Sequence, residues 1–216
     1  GTLGILYNTR LVDEEVDSWD ILFIQKYSGQ IIMENSVRDS FVPALKLLGY
    51  SINTDNTDEL DEAEAMLKEQ RPMVQAYLLD SARDEMIAEN AAIALVYSGE
   101  APYATEYNED LAYVVPKEGS NVWVDSWAIT KDCKNTENAE KFLNYLLEVE
   151  ISKISFEYNH YGTPNKKLAE ILPAKYTEDP ALFPPSDVLD NCEIFKSLDQ
   201  GTQNYYSKLW KEIKLD

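Results

Sequence analysis

Residues 31–49 read IIMENSVRDSFVPALKLLG, and the change of period inside this stretch decides the fold class. Residues 31–34 form a short apolar run of the kind that fills a buried strand. From Val37 onward the apolar positions Val37, Phe41, Ala44, Leu45 and Leu48 follow helical spacing. The spacing predicts a helix over 36–48, with Ser36 as its cap and Gly49 as its stop. The same alternation recurs on both sides. Strands are predicted at 3–8, 74–79, 91–98, 111–117 and 122–130. One helix is predicted over 59–70, opened by Asn56 with Glu59 and stopped by Pro72; another begins at Asn135 or Thr136 and carries Ala139, Phe142, Leu143, Leu146 and Leu147. After residue 150 the chain reads as mostly helical, with a proline-rich interruption at 182–187 and a final amphipathic helix over 202–215. Strand and helix taking turns predicts an α/β fold, a mostly parallel sheet flanked by helices.

In such a sheet ligands sit at the carboxyl ends of the strands. Those ends fall near Asn8, in the run from Glu34 to Asp39, at Tyr97 to Glu100, and around Trp123 and Asp125. Acids and aromatics gather there. Trp123 and Asp125 sit two apart in a stretch that alternates like a strand, so they are predicted to share a face while Val124 points away.

The chain has 216 residues, 44% of them hydrophobic, enough for a sizeable core. Thirty-nine acidic against 19 basic residues give a net charge of -20, a field that repels phosphate backbones and anionic headgroups and attracts cations. Nucleic acid is therefore not an expected partner. No apolar run reaches the roughly 20 residues that span a bilayer. The chain begins without Met, directly in a strand-like run, which suggests a processed or cut product. Cys133 and Cys192 match neither a zinc nor a Cys-x-x-Cys spacing. There is no phosphate-binding Gly-rich loop, no His-Glu-x-x-His and no Gly-x-Ser-x-Gly, and His160 is the only histidine. Neither metal nor cofactor is expected. Two uses of the strand-end residues remain open on the residues alone. Asp39, Glu100 and Asp125 have the chemistry of a glycosidase acid and base. Equally, carboxylates beside Tyr and Trp faces suit an alkyl ammonium, each cation-π contact contributing about 0.5–2 kcal/mol.

Six motifs then carry a resemblance that runs the length of the chain: Trp19 after a serine, Ser36-Val-Arg-Asp-Ser-Phe41, Leu47-Leu-Gly-Tyr50, Val115-Pro-Lys-Glu-Gly119, Trp123-Val-Asp-Ser126 and Tyr161-Gly-Thr-Pro-Asn165. They resemble the polyamine-binding proteins of ABC importers, receptors for spermidine and putrescine. The resemblance implies a type II periplasmic-binding-protein fold, two α/β lobes closing over ligand, and capture in place of catalysis. It implies that Asp125 grips an amino group, that Trp123, Tyr97 and Tyr161 pack the methylene chain, and that Asp39 and Glu100 add acidic contacts. Three positions depart from the family pattern: Ser36 stands for an acid, Tyr97 for a Trp and Phe195 for a Gln, and with Glu100 they lean toward putrescine or a broad specificity. The resemblance further assigns residues 1–123 and 170–216 to the second lobe and 124–169 to an excursion into a first lobe whose amino-terminal part is absent. That leaves the helix bearing Phe142 without its partner surface, so the fragment is expected to repack or self-associate. The implied partners are a polyamine and the permease, and the implied location is periplasmic or extracellular, in a Gram-positive cell with a lipid anchor on the absent segment. A sugar receptor of the same fold and a carboxylate-based hydrolase are the alternatives.

Overall fold

Five of the six predicted strands assemble into one sheet in the computed structural model, which describes residues 1–215. Its members are β1 (Leu3–Asn8), β2 (Ile31–Glu34), β3 (Val74–Leu78), β4 (Ile93–Tyr97) and β5 (Leu111–Val114), in the order β3-β2-β4-β1-β5. Strand β2 runs parallel to β3 and β4, whereas β1 runs antiparallel to β4 and β5. Four strands thus share one direction and β1 is reversed. The register pairs Leu3 with Tyr97 and Asn8 with Leu111, so the start of β1 lies at the edge where the other strands end. This corrects the reading of Asn8 as part of that edge. Hydropathy reveals a strand but not its direction.

The helices are α1 (Val42–Leu47), α2 (Thr57–Gln70), α3 (Ser81–Ile87), α4 (Glu100–Tyr107), α5 (Thr136–Leu146), α6 (Val149–Asn159), the one-turn α7 (Lys166–Ala169), α8 (Ala174–Thr177) and α9 (Ser186–Leu189), and α10 (Gln200–Leu215). Both faces of the sheet are covered, which is why β4 reads as an unbroken apolar run. Ile93 and Leu95 face one side with Trp19, Phe41, Leu45, Leu60, Tyr206 and Trp210; Ala94 and Val96 face the other with Ala82, Met86, Ala101 and Ala104. The small residues on the second face let α3 and α4 lie close. The helix predicted over 36–48 starts later than its hydrophobic period suggested: a 3-10 turn at Asp39–Phe41 precedes α1, and Pro43 sits in the first turn of α1. Ser36 makes no cap there; its hydroxyl turns to Asp39. Asn56 caps α2 by accepting from Asp58 N–H, as predicted.

The strand predicted over 122–130 does not form. Val122 bridges Thr2 and Asn121 bridges Glu193, but residues 123–130 have no regular structure, and Val124 and Trp127 are 75% and 76% exposed. The residue types favour a strand, yet a strand forms only where a neighbour takes its backbone groups, and among the described residues the pairing ends with Gly1 beside Trp123. Helix α5 follows with no buried residue, Phe142 being 54% exposed and Leu147, just past its end, 63%. A small separate cluster of Phe156, Leu168, Leu172 and Leu182 ties α6 to the segments after it.

Candidate functional site

The motifs singled out in the sequence build one edge of the sheet. Glu118 accepts from Ser18 Oγ at 2.6 Å and from Trp19 N–H at 3.3 Å, and the buried Trp19 indole donates to Gly119 O at 2.9 Å. Gly119 has φ +88, and a β-carbon there would collide with the Asn191 carbonyl. Only glycine fits both demands. The chain then turns along the start of β1: Ser120 Oγ donates to Leu3 O at 2.7 Å, Leu3 N–H to Asn121 O at 3.1 Å, and Trp123 N–H to Gly1 O at 3.0 Å. Trp123 is fixed by its backbone at the carboxyl edge beside the end of β4.

Three aromatic rings line up from there. Tyr97 and Trp123 meet edge to face with centroids 5.2 Å apart, and Trp123 and Tyr161 follow at 6.2 Å. Gly99 admits the Tyr161 ring, which a β-carbon would strike. All three rings are half-buried, leaving faces for a ligand. Beneath them sits Asp39, buried and fully engaged. Its Oδ2 accepts from Ser36 Oγ at 2.6 Å and Tyr97 OH at 3.0 Å, and its Oδ1 from Asn121 Nδ2 at 3.3 Å. Burial, reinforced by the Asp39 charge, pushes the Tyr97 phenol far above its usual range, and burial raises Tyr161 to about 12. Both remain hydrogen-bond donors at physiological pH.

The structure therefore brings Ser36, Asp39, Tyr97, Trp123 and Tyr161 together. The other three candidates stand differently. Glu100 lies half-buried at the start of α4, and its Oε2 takes Arg83 Nη1 at 3.0 Å while Arg83 lies 4.2 Å over the Tyr103 ring. Burial raises the Glu100 carboxyl, with Arg83 opposing the shift. Asp125 is exposed, near enough for its charge to act on the Tyr161 phenol; because 123–130 is not a strand, strand pleating does not relate it to Trp123. Phe195 lies apart, stacked under the Arg38 guanidinium at 4.0 Å, and that guanidinium donates to Ile52 O, Asn53 Oδ1 and Lys196 O. Two residues were missed. Asn121 is two before Trp123, a spacing that pointed to it. Glu34, 1% exposed at the end of β2, was visible as an acid closing an apolar run. Burial and then the charges of Asp39, Asp80 and Glu100 push its carboxyl up to about 8. The edge combines aromatic planes with acceptors, an arrangement suited to holding a cation.

Comparisons with known proteins place the chain among its relatives. The sequence pattern of the family described as bacterial extracellular solute-binding protein matches residues 1–184. The Escherichia coli spermidine/putrescine-binding periplasmic protein is 31% identical over 213 residues, 97% of this chain and 61% of that protein. The chain thus spans about three fifths of the length of that curated relative. The substrate-binding protein of a spermidine/putrescine ABC transporter from Streptococcus pneumoniae superposes with a TM-score of 0.91 at 36% identity, over all of this chain and 67% of that one. A putative spermidine/putrescine ABC transporter protein from Listeria monocytogenes gives 0.90 at 38%, with the same coverage. The chain belongs to the bacterial extracellular solute-binding protein family.

Proposed function

We propose that this chain is the polyamine-capturing part of an ABC importer's solute receptor, working by binding and release without catalysis. The observation that carries the reading is the file of Tyr97, Trp123 and Tyr161 with the Asp39 carboxylate bonded to Tyr97 and the charges of Glu100 and Asp125 acting on the Tyr161 phenol. Aromatic planes suit the methylene chain and desolvated head of an amine, and carboxylates suit its charges. The Ser36 hydroxyl and Tyr97 phenol fix the Asp39 carboxylate in place. Asp125, out in solvent, is free to reach a terminal ammonium as the first lobe closes. Phe195 acts through Arg38 more than by contact with ligand.

In this reading residues 1–123 and 170–216 form the second lobe, and 124–169 pack against a first lobe made mostly by the segment that longer relatives carry before this region. Ligand bridges the lobes and favours the closed form that docks on the permease, by its differential affinity for the two states. The exposed face of α5 meets that first lobe, and without it another copy covers it. The receptor works outside the cytoplasmic membrane, with any lipid anchor on the preceding segment.

A thermal-shift screen of diamines, triamines and sugars tests the reading, run on this chain and on a chain extended at its front as in the relatives. Putrescine or spermidine should raise the melting temperature of the extended chain, this chain responding more weakly. A response to a sugar with none to polyamines would replace the ligand class, and full polyamine affinity in this chain alone would refute the division into lobes.

A further inference from the structure

Glu34 is a buried acid of this edge whose chemistry the binding reading leaves unused. It is 1% exposed, and its Oε1 meets no hydrogen-bond donor. Burying a carboxyl oxygen without a partner is costly, and folded proteins rarely tolerate it without a reason. Alternation along β2 sends Ile31 and Met33 to one face and Ile32 and Glu34 to the other, the side covered by α3 and α4. The groups acting on Glu34 come from every neighbouring element: Asp39 from the turn after β2, Asp80 from the end of the β3 loop, Glu100 from α4, and the phenols of Tyr97 and Tyr161. None of them is a cation. Arg83, the guanidinium near this end, is committed to Glu100 and Asp84 at 3.0 and 3.1 Å. Among the described residues no three His, Cys, Asp or Glu side chains converge to hold a metal ion. The rings of Tyr97, Trp123 and Tyr161 instead favour an organic ammonium.

We propose that Glu34 is a further specificity-determining carboxylate, whose free Oε1 accepts a hydrogen bond from an ammonium of the ligand while the proton Glu34 holds in the empty site passes to a buffer base. The inference rests on the polyamine reading. A neutral Glu34 is what burial beside three acids favours, and its carboxyl is raised to about 8. An entering cation reverses that preference, because the ionised carboxylate becomes half of a pair. Binding is then linked to proton release: below about pH 8 the site gives up a proton for each amine it takes, and above it the exchange disappears.

Calorimetry with putrescine at pH 7 in phosphate and in Tris, buffers of different ionisation enthalpy, counts the protons. On the front-extended chain we expect close to one proton released per putrescine, falling toward zero at pH 9. Glu34→Gln, which keeps the shape and neutrality of the empty site and so should fold, is expected to release none; it should bind at least about tenfold more weakly than the parent at pH 9, with the gap narrowing at pH 6. Carboxyl NMR of the unsubstituted protein gives an independent readout, the Glu34 signal moving from protonated to ionised as putrescine is added at pH 7. Putrescine binding without proton release, the same proton count in the variant, or a Glu34 signal that stays protonated in the complex would each overturn this inference and leave the polyamine reading standing. Absence of binding by the parent chain would overturn both.

Discussion

The sheet and the segment from Val124 through α6 are written in similar residues and meet different ends. In the sheet half, Trp19, Phe41 and Tyr206 are completely or almost completely buried, and β4 is covered on both faces. In the other half, α5 has an equally regular apolar period, yet none of its residues is buried and Trp127 stands in solvent. Periodicity specifies an element and the face it wants to bury; it does not supply the partner. An apolar stripe without a partner identifies an interface, and in the proposed reading that interface belongs to the first lobe.

The largest effect that sharpens this contrast is in the core. Trp19→Ala removes a fully buried indole together with its bond to Gly119 O, and should cost about 3–5 kcal/mol in denaturant unfolding. Phe142→Ala on α5 should change this chain by no more than about 0.5 kcal/mol, and cost about 2 kcal/mol or more once the first lobe is restored. Equal costs in the two lengths of chain would break the comparison.

The turn that connects the two halves comes next. Gly119→Ala forces a β-carbon against the Asn191 carbonyl at a positive φ, so a loss of about 1–3 kcal/mol is expected, read as a lowered melting temperature. An unchanged melting temperature would mean that the Trp123 anchor is set elsewhere.

A smaller, pH-dependent effect separates Glu34 from the exposed acids. Its folded carboxyl, at about 8, lies above its ordinary 4.5, so the folded chain holds a proton that the unfolded chain releases. The stabilisation from that proton is complete below pH 4.5 and is lost as pH rises to 8. Relative to the parent, Glu34→Gln should therefore gain melting temperature across this window, by several degrees or more between pH 5 and pH 8. A difference that stays flat with pH would show that Glu34 ionises freely in the folded chain.

Much of the fold was legible because the strongest signals are local. The apolar runs gave five strands to within a few residues, and Asn56 and Pro72 bracket α2 as their chemistry requires. The direction of β1 was not legible, since a strand reads alike both ways until its neighbours are known. Residues 124–130 misled for the opposite reason: Val124, Trp127 and Ile129 carry strand propensity that no neighbouring strand satisfies here. At the candidate site, the motifs pointed to Ser36, Asp39, Trp123 and Tyr161 and the strand-end reading to Tyr97, and the fold assembles these five. Side-chain partnership was beyond their reach. Arg83 taking Glu100, Arg38 stacking on Phe195 and the buried solitude of Glu34 all arise from three-dimensional packing.

The central claim, that this edge grips an amine between aromatic planes and carboxylates, is tested most directly by calorimetry of spermidine and putrescine on the front-extended chain and its Asp125→Ala variant. The account predicts binding of at least one of the two amines by the parent and a loss of at least about tenfold in the variant, with the melting temperature of the unliganded protein unchanged because Asp125 is exposed. Polyamine affinity that survives Asp125→Ala undiminished would contradict it.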